Sequence, residues 1–165
     1  GLQELFMLAA LYEALAERSS REEAYGFIID LFRSMGPSVH ATLYDVDRLL
    51  ECDGDPFTNF CALNRSFFEA SAAKGFYDVD EIRDSADLQF VRLTRCLNVD
   101  LFTVLGCPEL ALAACVADIT GYGPAGLARK VSLDFRRPRT IVHGDESCEF
   151  YYCRAGTAPA GMETH

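Results

Sequence analysis

The spacing of apolar residues changes period midway along the chain, and this change narrows the possible architectures sharply. Up to about residue 74 apolar side chains recur every three or four positions, as on one face of a helix. From Leu88 onward they recur at every second position, as on one face of a strand. Leu5, Leu8, Ala9, Leu11, Tyr12 and Leu15 mark a first helix. Ser20 followed by Glu23 has the spacing of a capping box, and Ala24, Phe27, Ile28, Leu31 and Phe32 continue one apolar face. Met35-Gly36-Pro37 is expected to stop that helix, with a third over residues 38–50. Asp55-Pro56 reads as an N-cap with proline at the first helical position, and Lys74-Gly75 as the end of that helix. Strands are expected over residues 88–95, 131–136 and 149–153, with a short helix over 108–118 closed by Gly121-Tyr122-Gly123-Pro124. Helices first and strands later imply an α+β fold, the helical N-terminal half packed on a small antiparallel sheet formed by the C-terminal half. Residues 1–156 read as a single domain and 157–165 as a frayed tail.

Half of the 165 residues are hydrophobic, enough for a real core, which argues against disorder or a disulfide-stapled mini-protein. A formal net charge of -10 argues against nucleic acid and against an anionic membrane surface, since both are bound through clustered Lys and Arg. A cationic or amidine-bearing small molecule suits the sign of the field. Seven cysteines are an odd number and no Cys-x-x-Cys pair occurs, so neither a thiolate zinc site nor a disulfide framework is expected. Reduced thiols imply a cytoplasmic protein. Glu4 and Glu13 interrupt the first apolar segment, which therefore reads as neither a signal peptide nor a membrane span.

Two stretches concentrate reactive side chains. In the first, Leu105-Gly106-Cys107-Pro108-Glu109-Leu110 precedes Cys115 and Asp118, which lie one helical turn apart on a face shared with Ala111 and Ala114. Those alanines leave room above the face, and an acid near a helix C-terminus opposes the macrodipole. In the second, Arg139-Thr140-Ile141-Val142-His143-Gly144-Asp145-Glu146-Ser147-Cys148-Glu149-Phe150 holds more reactive side chains than a turn requires. Gly144-Asp145 alone is turn chemistry, and the plainest account of this segment is a hairpin. A zinc site from His143, Asp145, Cys148 and Cys115 is conceivable, but one histidine is a thin basis for it. No metal and no cofactor is expected.

Taken together, Leu-Gly-Cys-Pro-Glu-Leu, Cys115-x-x-Asp118, Phe135-x-Arg137 and Arg139-Thr140-Ile141-x-x-Gly144-Asp145-x-x-Cys148-Glu149-Phe150 resemble the L-2-amino-thiazoline-4-carboxylic acid hydrolase family. The resemblance covers roughly residues 97–152. It departs from the commonest family phrase at Ser147, where a second cysteine often precedes Cys148. It implies a hydrolase that opens a small cyclic amidine-like, amino-acid-derived ring by water attack at the amidine carbon. A ring-closing enzyme, or a non-catalytic binding domain of the 4-vinyl reductase type, would fit similar phrases. Asp118 is the expected amidine partner or general base, with Cys115 and Cys148 as alternative nucleophiles. Arg136 or Arg139 would receive a substrate carboxylate, with Arg137 disfavoured by strand alternation. Thr140, His143, Asp145 and Tyr122 complete the expected binding residues. Everything depends on the two stretches meeting at one cavity.

Overall fold

The computed structural model describes residues 2–165. Helix α1 (Leu2–Ala16) is followed by α2 (Arg21–Leu43), α3 (Val46–Glu51) and α4 (Pro56–Ala73). Ser20 caps α2 by accepting from the Glu23 amide, and Asp55 caps α4 by accepting from the Thr58 amide, with Pro56 at its start. A hairpin follows, β1 (Tyr77–Asp84) and β2 (Leu88–Cys96), then α5 (Leu97–Val104), a 3-10 turn (Pro108–Leu110) and α6 (Ala111–Gly121). The chain closes with β3 (Leu133–Arg139) and β4 (Cys148–Arg154). The four strands form one antiparallel sheet in the order β1-β2-β4-β3, with the helices packed against it. The α+β expectation holds.

Two expectations fail locally. Gly36-Pro37 does not stop α2, which runs on to Leu43 with Pro37 inside it. The reason is a helix crossing: α6 lies against α2 at Gly36, where a Cβ would collide with Thr120 Oγ1 and sit 2.5 Å from the Ala117 carbonyl oxygen. Gly36 is therefore a contact point of the crossing rather than a terminator. The expected strand beginning at Val131 starts instead at Leu133, because Ser132 takes a left-handed conformation with φ 54°. β1 and α5 carry no expected element. β1 is an edge strand whose acidic sequence, Tyr-Asp-Val-Asp-Glu-Ile-Arg-Asp, hides its alternation.

The inner face of the sheet is set by register. Leu93 pairs with Cys148, Val91 with Phe150 and Gln89 with Tyr152 between β2 and β4. Phe135 pairs with Tyr152 between β3 and β4. The apolar residues of these pairs, with Tyr44, Phe57, Phe60, Phe68 and Tyr122, build one core between the sheet and the helices. A second core, around Tyr12, Ile28, Phe102 and Leu110, joins α1 and α2 to α5 and α6. At the end of the tail expected to fray, Thr164 bridges Arg137 of β3 and the His165 amide donates to the Arg137 carbonyl. Among the described residues no helix is long and apolar enough to cross a membrane.

Candidate active site

The cavity between α2, α6 and the inner face of the sheet has a volume of about 250 Å³. Its walls are chiefly apolar, and its charged and polar groups come from several elements. α2 contributes His40, α6 contributes Cys115 and Asp118, and β3 contributes Arg137. Cys148 and Tyr152 of β4 and Tyr122 at the end of α6 line it as well.

Asp118 is the centre of the polar group. Arg137 Nη1 donates to Asp118 Oδ2 at 3.0 Å, and His40 Nε2 lies 3.3 Å from Asp118 Oδ1. Arg137 is fully buried, and it also donates from Nη2 to the Cys115 carbonyl (3.0 Å) and from Nε to the His165 carbonyl (2.8 Å). A buried guanidinium is stable only with such partners, and here three of its five N–H groups are spent on the protein. Phe135 and Phe150 place their rings 5.8 and 5.6 Å from its central carbon. His40 is held at its other nitrogen, Nδ1, 3.0 Å from the Gly36 carbonyl four residues back in α2. A carbonyl only accepts, so Nδ1 carries hydrogen and Nε2 is the nitrogen turned to Asp118. The ring fits because residue 121 is glycine: a Cβ there would run into it, 2.6 Å from Cε1. Tyr122 packs edge-on against the same imidazole at 4.5 Å between centroids.

The thiols face a different environment. Burial pushes the Cys115 thiol up to about 12, with Arg137 opposing and Asp118, Cys148 and Cys96 reinforcing. Burial pushes Cys148 up to about 11, against a partial stabilisation by the Ile141 amide, which donates to Sγ at 3.3 Å. Both therefore stay protonated at neutral pH.

Of the residues singled out in the sequence, Asp118, Cys115, Cys148 and Tyr122 come together on this cavity. Arg136, Arg139, Thr140, His143 and Asp145 do not. Strand alternation turns Arg136 outward to Asp134, 3.0 Å away, while Arg139 is exposed because the register shifts between Arg136 and Arg139 at the end of the strand, opposite Glu149. Thr140, His143 and Asp145 build the β3–β4 connection. Thr140 Oγ1 accepts from the His143 amide, Asp145 accepts from the Thr140 amide at 2.8 Å, and His143 and Asp145 side chains are exposed. Among the described residues no group of three or more His, Cys, Asp or Glu side chains is placed to hold a metal ion.

Two members of the polar group, Arg137 and His40, were not expected there. The alternation of Leu133, Phe135 and Arg137 does carry a signal for the first: it puts an arginine on the apolar register of a strand, where only a buried partner can keep it. For His40 the signal is its spacing from Gly36 and Tyr44 on one face of α2, which becomes visible only once α2 is known to be continuous.

Set beside known protein families, the chain falls among hydrolase-type enzymes, matching the model of one such family over residues 2–152. That family is L-2-amino-thiazoline-4-carboxylic acid hydrolase, and the chain belongs to it. No curated protein matches the chain.

Proposed function

We propose that the chain hydrolyses a small cyclic amidine derived from an amino acid, with Asp118 binding the amidine and taking the proton from the attacking water. The observation that carries this reading is the Asp118 carboxylate, held at one oxygen by the buried Arg137 and faced at the other by His40, on the wall of an otherwise apolar cavity. Each carboxylate oxygen has lone pairs beyond the one engaged by protein, and these serve the N–H groups of an amidine. The water oxygen bonds to the amidine carbon, and the bond from that carbon to the ring heteroatom breaks. The water gives up two protons as the carbonyl forms: one ends on the departing heteroatom and the other on the amidine nitrogen that loses its double bond. Arg137 serves to hold Asp118 rather than to receive a substrate carboxylate, because its donors are largely committed. A thiolate nucleophile fits less well, since burial keeps Cys115 and Cys148 protonated.

The test is turnover of L-2-amino-thiazoline-4-carboxylate, read as appearance of a new thiol. Asp118→Asn retains an oxygen for Arg137 to bond, so the fold should survive; circular dichroism checks that. Activity per folded molecule is expected to fall at least tenfold, and by roughly 10²–10⁴ where the whole general-base contribution is lost. Turnover within twofold of the wild type would show that Asp118 has a purely architectural role. Tight binding of the probe with no product would favour the non-catalytic binding module instead.

A further inference from the structure

Asp118 gives the cavity an anchor for a cation, and among the described residues that line it no cation is left free for an anion. Arg137 is 0% exposed and donates to Asp118, to the Cys115 carbonyl and to the His165 carbonyl. His40 is 4% exposed, with Nδ1 turned to the Gly36 carbonyl and Nε2 to Asp118. Neither presents more than a trace of surface to a ligand. Tyr77 and Asn98 also line the cavity, but both are uncharged, and burial holds the Tyr77 phenol protonated. A carboxylate entering beside Asp118 would lose water, gain no counter-ion and meet a like charge.

Apolar side chains surround the approach to Asp118. On α2, Val39 precedes His40 and Leu43 follows it by less than one helical turn. Both line the cavity and are 44% and 47% exposed, so they mark its opening to solvent. Phe67 of α4 and Val99 of α5 line the same cavity and are half-buried. Three helices thus leave apolar surface in contact with water around the anchor, and an apolar group laid over it would be driven there by the hydrophobic effect.

We infer that the ligand is a cyclic amidine whose ring carries an uncharged, apolar substituent in place of a free carboxylate, with that substituent lying against Val39, Leu43 and Phe67. The inference rests on the hydrolase reading for the amidine end and names the class of substrate beyond it. It separates this chain from the carboxylate-bearing ring for which its family is named. Amidine on Asp118 and apolar group at the opening together use the two surfaces that the cavity offers.

Three probes test it: 2-amino-thiazoline bearing a carboxylate, an isobutyl group or hydrogen at the same ring carbon. The isobutyl probe is expected to exceed the carboxylate probe in kcat/KM by at least about tenfold, the scale on which an apolar pocket discriminates. A smaller ratio, or the reverse order, overturns the inference and leaves the hydrolase reading standing. Leu43→Gln then tests the placement. The residue is half exposed, so the fold should survive, and Val39→Gln serves in its place if it does not. Either variant is expected to cut the preference for isobutyl over hydrogen at least about threefold, since a polar group replaces part of the apolar contact. An unchanged preference overturns the placement. A wild-type enzyme that turns over none of the three probes removes the hydrolase reading instead. Calorimetric titration then decides the substituent: binding of the isobutyl probe at least about tenfold tighter than the carboxylate probe supports it, and any smaller difference overturns it.

Discussion

Cys115 and Cys148 line the cavity beside Asp118, and either could be mistaken for a nucleophile on position alone. The thiolate is the reactive form, and burial holds the two thiols at about 12 and about 11, so almost none of either is ionised near pH 7. In folded protein at pH 7.5, iodoacetamide is expected to modify the exposed Cys52 first and to leave Cys115 and Cys148 largely intact. Their labelling should rise about tenfold per pH unit towards pH 11, because the thiolate fraction does so below the pKa. Peptide mass spectrometry across that range checks it, and rapid labelling of Cys115 at neutral pH would revive a covalent route. Cys115→Ser should accordingly cost less activity than Asp118→Asn. Asp118 and Cys115 were legible in the sequence because both sit one turn apart on a single helix, where spacing alone defines a shared face. His40 was not, because its tie to Asp118 spans 78 positions and depends on a helix crossing that no local spacing encodes.

That crossing is the deciding feature at the scale of elements. α2 and α6 approach through two glycines, Gly36 against Ala117 and Thr120, and Gly121 against the His40 ring. Composition invites the opposite conclusion at the first of them, since Gly-Pro ordinarily punctuates a helix. Tertiary packing overrides it: the helix loses the N–H that Pro37 lacks and gains close contact with the element that carries Asp118. Gly36→Ala separates the two explanations. On helix propensity alone it would stabilise α2 by roughly 1 kcal/mol. The added methyl, however, meets the backbone oxygen of Ala117 at 2.5 Å, so the helices must part. We expect a net loss of about 1–3 kcal/mol, typical of overpacking, together with reduced turnover as His40 moves from Asp118. Chemical denaturation measures the first, and a gain in stability would restore Gly36 as a simple breaker. β1 escaped notice for a related reason. Four of its eight residues are acids, which erases the apolar alternation that identified β2, and an edge strand needs little of it.

Over the whole molecule, the change of period read from the sequence corresponds to the boundary between layers, and the cavity lies on that boundary. A site assembled there collects groups from both layers into a common interior. Several weak acids, at the cavity and in the core beside it, are held in their neutral form. Burial raises Cys61 and Cys115 to about 12 and Cys148 to about 11, against an ordinary value of 9.0. It also raises Tyr44, Tyr122 and Tyr152 above their ordinary 10.0. The consequence for stability has a definite sign. Below pH 9 the folded and unfolded chains hold these protons equally, and the groups contribute no pH dependence. Between about pH 9 and 12 the unfolded chain releases protons that the folded chain retains, so stability falls as pH rises, by about 1.4 kcal/mol per pH unit for each proton of difference. Melting temperature should therefore show no decline due to these groups between pH 7 and 8.5 and drop with increasing steepness above pH 9. Replacing Cys61 and Cys115 with alanine should flatten that drop while lowering stability at neutral pH through the cavities left behind. A melting temperature unchanged from pH 9 to 11 would mean that these thiols and phenols reach water in the folded protein, and with it that the groups around Asp118 are not shielded as the apolar walls of the cavity imply.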